Sequence, residues 1–538
     1  MMQVTFGNTE KNKNYKLMKT KYIIAIVLSL LITTQSCDLE MEEYNKITPD
    51  NFYNTEKDAK LAIAALYYNS ITKVGTWSPG LFVQNINSVL TLSDIAAGDM
   101  MACSYGTNPW EYLRTHQWTE SNGYGTQNVF KYYNHISNAR IVAKQIEKMD
   151  ISENLKAGLI AEAKAVGAWK AAILYDYYGP VPYPTDEMLA TPAELVYPER
   201  PSKENFVKII ESLFDGKDAL PEADYGPNFG RINKSIANMV LLRLYMNEAA
   251  RTGDVNFWNK AKDCAEQIIS SGSHELQNSY SDVFSVNNTK NNEIIFATPS
   301  DYSFNTMMWH AESLPNNFPL PGGGSSNSWG GYKILWSFYD TFDANDQRLS
   351  GIAASYTTSS GVEITRENPV DNRHGLGDGA IPVKYDLDPN QVSFFQGHDF
   401  IVYRYAEVLL AMAEILNELQ TTADVNAPLV AQVSKEGVTY TSDGGNTAYS
   451  FINAIRVRAG LEPLTTMSKE ALRDAILMER SHELYCEGTR RMDLIRYQRM
   501  TDGNGYKKFD NDENKFLFPI PVSYINEYKG NLTQNPGY

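Results

Sequence analysis

The residues that could do chemistry in this 538-residue chain fall into a few groups. His482-Glu483-Leu484-Tyr485-Cys486 is one substitution away from H-E-x-x-H, where two helical imidazoles hold zinc and the glutamate acts as base. Cys486 stands at the second ligand position, and no further ligand spacing completes a site. Glu479, Glu483 and Glu487 recur at four-residue intervals, which predicts a charged helix face paired with Arg480, Arg490 and Arg491. Gly375-Leu376-Gly377-Asp378-Gly379-Ala380 has the glycines of a dinucleotide loop, but Ile381-Pro382 follows instead of a helix that could receive pyrophosphate. The Gly-Ser run at 322–326 lacks the G-x-S-x-G spacing of a nucleophile elbow. The 7 His form no triad pattern, and 64 acidic residues single out no carboxylate pair for glycoside hydrolysis. The expectation is a protein that is not an enzyme, with no metal and no cofactor.

One cysteine does carry a chemical signal. Lys19 and Lys21 precede the apolar run Tyr22–Ile32, and Thr33-Thr34-Gln35-Ser36-Cys37 follows. A positive n-region, a short apolar h-region and small residues before a cut site predict a secretory signal peptide over residues 1–36. The run is too short to span a bilayer, which takes about 20 residues in a helix. The signal starts most naturally at Met18, so residues 1–17 read as an over-extended start. A Cys directly after a small residue at the cleavage point resembles a lipobox, with Thr34 and Gln35 in place of the usual Leu and Ala. Cys37 is therefore the expected lipid attachment site. Residues 37–50 would be an acidic tether beginning Asp38-Leu39-Glu40-Met41-Glu42-Glu43, similar to the signal that takes lipoproteins to the outer face in some Gram-negative bacteria. Each buried CH₂ of an acyl chain contributes about 0.8 kcal/mol, so a multiply acylated Cys anchors stably.

Charge excludes another class. The formal net charge is −16, and removing residues 1–36 takes away five Lys and one Glu, which makes it −20. Such a chain repels phosphates, so nucleic acid is not an expected partner. Aromatic residues make up 12%, ample core material that rules out disorder. The 4 Cys are too sparse for a disulfide scaffold, and Cys103, Cys264 and Cys486 read as buried free thiols.

Positioning elements follow from periodicity. Apolar residues at three- and four-residue spacing predict helices near 56–71, 126–149, 153–178, 203–220, 232–251 and 255–271, then 401–419, 447–459, 468–487 and 489–499. Small residues at i, i+4 (Ala161/Ala165, Ala261/Ala265) predict tightly crossing helix hairpins of tetratricopeptide-like texture, without a strict 34-residue repeat. Two stretches break the pattern. Residues 76–125 set Trp77, Tyr105, Trp110 and Trp118 among Gly, Asn, Ser and Pro, and residues 280–400 alternate short β-like runs (Glu293–Ala297, Gly361–Thr365) with loops. A Gly/Asp/Asn-rich segment at 421–447 reads as exposed. The expected fold class is mainly α, a tetratricopeptide-like helical-pair scaffold with a large irregular loop and short-strand insertion. Residues 51–538 read as a single domain.

Several motifs now converge on a family. Ala161-Glu162-Ala163-Lys164 through Trp169, then Tyr175-Asp176-Tyr177-Tyr178-Gly179-Pro180-Val181-Pro182, resembles a segment of SusD/RagB-like proteins. So do Asp399–Leu410 with Ala413-Glu414, Asn453–Leu461 with its R-x-R-A-G-L turn, Glu479–Arg496, Phe518-Pro519-Ile520-Pro521 and the closing Gln534–Tyr538. Gly167 stands where the family often carries Arg. The resemblance implies a helical scaffold of tetratricopeptide-like pairs and a lipid-anchored, cell-surface lipoprotein of the outer membrane that takes part in polysaccharide utilisation. It also implies capture of glycan, oligo- or polysaccharide, and nutrient uptake through a partner TonB-dependent outer-membrane transporter (SusC-like). The alternatives are capture of peptides by the same architecture and, in a different class, a secreted glycoside hydrolase. Read physically, Arg404, Glu407, Glu414, Arg456 and Arg458 are scaffold residues making charge-assisted hydrogen bonds between helices.

A glycan offers flat C–H faces and rings of hydroxyls, so loop aromatics with polar neighbours are the groups to seek. The two loop-rich stretches supply Trp77, Tyr105, Trp110, Trp309, Trp329 and Tyr332, with Asn108 as a polar partner. Trp169, Trp258 and Trp336 read as helix core instead. For these candidates to form one platform, the two stretches must converge despite lying about 200 residues apart.

Overall fold

The computed structural model describes residues 52–68, 88–104, 108–121, 129–190, 197–302, 307–323, 325–326, 328–369, 375–391, 395–419, 432–434, 437–439, 447–500, 514 and 516–538. The signal peptide, Cys37, the acidic tether, Trp77 and Tyr105 lie outside the described residues. The larger helices are α1 (Glu56–Tyr67), α2 (Tyr133–Glu147), α3 (Glu153–Tyr178), α4 (Lys203–Leu213), α5 (Lys234–Thr252) and α6 (Val255–Ser270). They continue with α7 (Tyr405–Leu419), α8 (Ala448–Arg458), α9 (Lys469–Leu484) and α10 (Arg490–Arg496). Short polar side chains start several of them by accepting an otherwise orphaned amide: Thr55 for α1, Ser202 for α4, Asn233 for α5, Asp254 for α6 and Ser468 for α9.

Helix α2 packs on α3, α5 on α6, and α7 on α8 and α9. The crossings are close, as the small residues predict. A Cβ added at Gly167 would sit 3.0 Å from Ala139 Cβ across the α2–α3 contact. Ala161, Ala165, Ala261 and Ala265 are all buried. Among the described residues, no helix is long and apolar enough to cross a membrane.

Strands are few and short. β1 (Met101–Cys103) pairs with β3 (Tyr332–Ile334), and β2 (Ile294–Thr298) with β8 (Phe400–Arg404). β4 (Ile352–Ala353) pairs with β7 (Ile381–Pro382), and β5 (Tyr356–Thr357) with β6 (Glu363–Ile364). All are antiparallel two-stranded pairs. The helix expected from 401 starts instead at Tyr405, because Phe400-Ile401-Val402-Tyr403-Arg404 is buried on both faces and completes a ladder with β2. The helix expected over 203–220 ends at Leu213, followed by a left-handed Gly216 and a single 3₁₀ turn. Cys264 and Cys486 are buried thiols; Cys103 is half-buried, at the end of β1 where its cover thins.

The charged motif residues meet inside the core. Arg404, at the end of β8 rather than on a helix, reaches Glu293 at 2.8 Å and grips both oxygens of Glu487 at 2.7 and 2.8 Å. Arg458 on α8 pairs with Glu293 at 3.0 Å and with Glu483. Arg348 joins Asp346 at 2.7 Å, Glu479 at 2.6 Å and Glu483 at 3.2 Å, and Arg456 closes on Glu479 at 3.0 Å. A second group links Arg496 to Glu414 and Asp493, Arg480 to Asp493, and Arg243 to Glu407. The predicted interhelical charge-assisted bonds are present. The partners expected for Glu479, Glu483 and Glu487 are corrected: Arg480, Arg490 and Arg491 bind Asp493, Asp99 and Asp176, because the three glutamates are already taken by Arg348, Arg404, Arg456, Arg458 and Lys384. His482 points elsewhere, stacked 4.0 Å from the Phe342 ring centroid and bonded to Thr341 Oγ1.

Asp94 adds a cap supplied from afar. Its carboxylate accepts the Gly488 and Arg490 amides at 2.9 and 3.2 Å, at the start of a helix whose own Thr489 makes no side-chain cap.

Burial alone would raise the Glu483 carboxyl, but Arg458, Arg404 and Arg348 outweigh it and hold it well below the usual carboxylate range. Its contribution to stability is therefore complete above the unfolded carboxylate pKa and is lost as pH falls through the folded one. Glu483→Gln leaves three guanidiniums under-compensated and is expected to cost about 3–5 kcal/mol at pH 7. Denaturant titrations should show that cost, and the gap to the wild type should narrow below about pH 4.

Candidate functional site

The two loop-rich stretches meet. Met101 pairs with Ile334, Ala102 with Lys333 and Cys103 with Tyr332, and the ladder runs one step further as the Ser104 amide donates to Gly331 at 2.7 Å. On its other edge β3 is held by Ala380, which exchanges both backbone bonds with Ile334. The two stretches thus converge at the β1–β3 seam.

The candidate side chains divide at this seam. Trp309, on the short helix Trp309–Ser313, is fully buried; its indole donates to the Pro382 carbonyl at 3.0 Å, and its ring lies 5.8 Å from Tyr332 and 5.9 Å from Tyr385. Tyr332 is 0% exposed and Trp110, on the helix Asn108–Arg114, is 3% exposed. These three were expected to face a ligand, and the structure corrects that: their rings are enclosed in the main core, where no sugar face can stack on them. Asn108 opens the same short helix, with its side chain outside the described residues. Trp329 is different. Its amide is anchored to Ala311 at 2.8 Å, two residues before the Gly331 that bonds Ser104, and its side chain is half-buried. Among the candidates whose side chains are described, Trp329 alone keeps access to solvent.

Sequence reasoning passed over two polar groups at the seam. Ser104 Oγ donates to Asp378 Oδ2 at 2.7 Å, tying the first stretch to the Gly375–Ala380 loop. The available signal was Asp378 itself, a lone charge flanked by Gly377 and Gly379. Trp336, read as helix core, starts the four-residue helix Trp336–Tyr339 and is half-buried. The Arg366 guanidinium lies 4.6 Å over its ring and is gripped at 2.8 and 3.0 Å by Asp340, so that ring is already covered.

A cavity of about 390 Å³ lies elsewhere, lined among others by Tyr175, Asp176, Asn247, Arg251, Arg496 and Phe516. It shares no lining residue with the seam. Its arginines are engaged, Arg496 with Glu414 and Asp493 and Arg251 with Glu248.

Comparisons with known proteins agree with this architecture. Residues 386–538 match the model of the SusD family. The chain is 24% identical over 530 residues to SusD-like protein P25 of Formosa agariphila, covering 90% of this chain and 91% of the relative. It is 24% identical over 460 residues to the starch-binding protein SusD of Bacteroides thetaiotaomicron, covering 73% and 75%. Among solved structures, a SusD superfamily protein from Parabacteroides distasonis superposes with a TM-score of 0.72 at 18% identity, over 92% of this chain and 100% of that one. Surface glycan-binding protein A from Bacteroides thetaiotaomicron, in complex with laminarihexaose, gives 0.66 at 20% identity, over 90% and 100%. The resemblance to SusD/RagB-like proteins and the mainly α, tetratricopeptide-like fold class both hold.

The division of the aromatics can be measured. Trp309→Ala removes a fully enclosed ring and is expected to lower unfolding free energy by about 3–5 kcal/mol. Trp329→Ala, at a half-buried ring, should cost clearly less. Urea unfolding of the two variants side by side decides the assignment.

Proposed function

We propose that this SusD/RagB-like chain is a cell-surface lipoprotein that binds glycan without turning it over and delivers it to a TonB-dependent outer-membrane transporter. The observation that carries the reading is the β1–β3 seam, which brings two aromatic-rich stretches together and leaves Trp329 only half-buried there. An indole face of that kind suits the apolar face of a pyranose, while backbone and side-chain groups at the seam suit its hydroxyl edge. Relatives named for starch and glycan binding, one of them solved with a bound hexasaccharide, support the ligand class. Anchoring rests on Cys37 and the acidic tether behind it. Transport must belong to another protein, since a lipid anchor holds a chain at a bilayer but opens no path through it.

Trp77, Tyr105 and Asn108 stay in this proposal as further ligand contacts from the first stretch. Trp110, Trp309 and Tyr332 are core packing residues and are not among the contacts.

Two outcomes are expected. Trp329→Ala should weaken glycan binding by about 1–3 kcal/mol in calorimetric titration, with a smaller fall in melting temperature than Trp309→Ala shows. Loss of melting temperature without loss of affinity would return Trp329 to packing. Cys37→Ala should release the protein from membranes or leave its precursor uncut; membrane fractionation that persists through detergent-sensitive lipid would overturn the anchor.

A further inference from the structure

The Gly375–Ala380 loop, a dinucleotide fingerprint without its helix, has a different use at the seam. Ile334 donates to Ala380 at 2.8 Å and accepts from it at 2.9 Å, so the loop docks flush along the second edge of β3. Only glycine permits this at 379, where a Cβ would lie 2.2 Å from the Ile334 carbonyl oxygen. Flush docking carries the preceding residue, Asp378, onto the exposed surface.

Its carboxylate is held there. Oδ2 accepts the Ser104 hydroxyl at 2.7 Å, and Ser104 is itself buried and pinned to Gly331 through its amide. Beneath the same loop Lys333 is fully buried on β3; burial lowers its pKa to about 7, against the pull of Asp378, which favours its charge. An ionised carboxylate has about four acceptor positions, and the serine uses one. An exposed anion with fixed orientation and spare acceptor capacity therefore stands at the seam. In sequence it belongs to a third segment, joined through Ser104 and Gly331 to the strand that follows Trp329.

We infer that Asp378 accepts hydrogen bonds from sugar hydroxyls at the β1–β3 seam, with Ser104 as its positioning residue, and that this selects uncharged, hydroxyl-rich glycans over uronate-bearing or sulfated ones. The inference rests on the glycan reading above. Hydroxyl-to-carboxylate bonds are charge-assisted and stronger than neutral ones, whereas a second carboxylate or sulfate at the same place meets repulsion. The net charge of −16 adds to that repulsion.

The test uses the folded protein on an array of neutral and uronate-bearing oligosaccharides of matched length, followed by titration with the neutral oligosaccharide it binds most tightly. Asp378→Ala should weaken that binding about tenfold, as expected for loss of a charge-assisted bond, with the melting temperature unmoved. Asp378→Asn should lose less on neutral sugars and bind uronate-bearing ones more tightly than the wild type does. Ser104→Ala should weaken binding in the wild type but not in Asp378→Ala, and Ser104→Thr should restore it. Affinity of Asp378→Ala within twofold of the wild type, while Trp329→Ala loses binding, overturns this inference and leaves the glycan reading intact. A wild type that prefers uronate-bearing ligands also overturns it. Binding to no glycan at all overturns the glycan reading and this inference together.

Discussion

Arg348, Arg404 and Arg458 are almost wholly withdrawn from water, and so are the carboxylates of Glu293, Glu479 and Glu483. These groups come from different parts of the chain: the approach to β2, the end of β8, helices α8 and α9, and a 3₁₀ turn inside the irregular region. Lys384, just after β7, is buried nearby and donates to the Tyr485 carbonyl at 2.7 Å. The network thus fastens the loop-and-strand region to the helical scaffold. Removing so many charges from water is costly, and mutual attraction offsets that cost only when every partner is in place. Its chief effect is on register. An insertion docked one residue out of place would leave a guanidinium or carboxylate buried without its partner, so one arrangement is favoured steeply over its neighbours. The β1–β3 seam inherits its geometry from that choice.

Much of the scaffold was legible because helices announce themselves through local spacing. α3, α5 and α6 fall within two residues of their expected bounds, and their small residues mark the close crossings. The charged motifs were legible as residue types but not as pairs. Glu483 finds Arg404 79 residues away, and no periodicity carries that information. Phe400–Arg404 misled because a short apolar run running straight into a helix has no turn signal between them.

The site was legible in outline only. Gly, Pro and Asn indicate irregular backbone, and they say nothing about exposure. An irregular region of this size needs a core of its own, and here Leu314, Phe318, Tyr356, Ile364, Leu376 and Ile381 supply one. Trp309 and Tyr332 join the main core alongside it. Large loop aromatics were therefore divided between filling space and facing solvent by long-range contacts that the sequence does not display. Asp378 was hidden for the same reason: its placement depends on Gly379 meeting a strand that lies more than forty residues earlier in the chain.

The pairing of β1 with β3 also bears on how the molecule assembles. Met101 and Ile334 are separated by more than two hundred residues, so the seam cannot close until the helical hairpins between them have emerged. Long-range pairings of this kind form slowly, because loop closure must precede any contact. Until then β1 presents an unpaired edge, the feature that invites pairing with another chain. Its length of three residues is a protection: it offers too little ladder to hold a stray partner, yet enough to complete the seam once β3 arrives on a scaffold already locked in register.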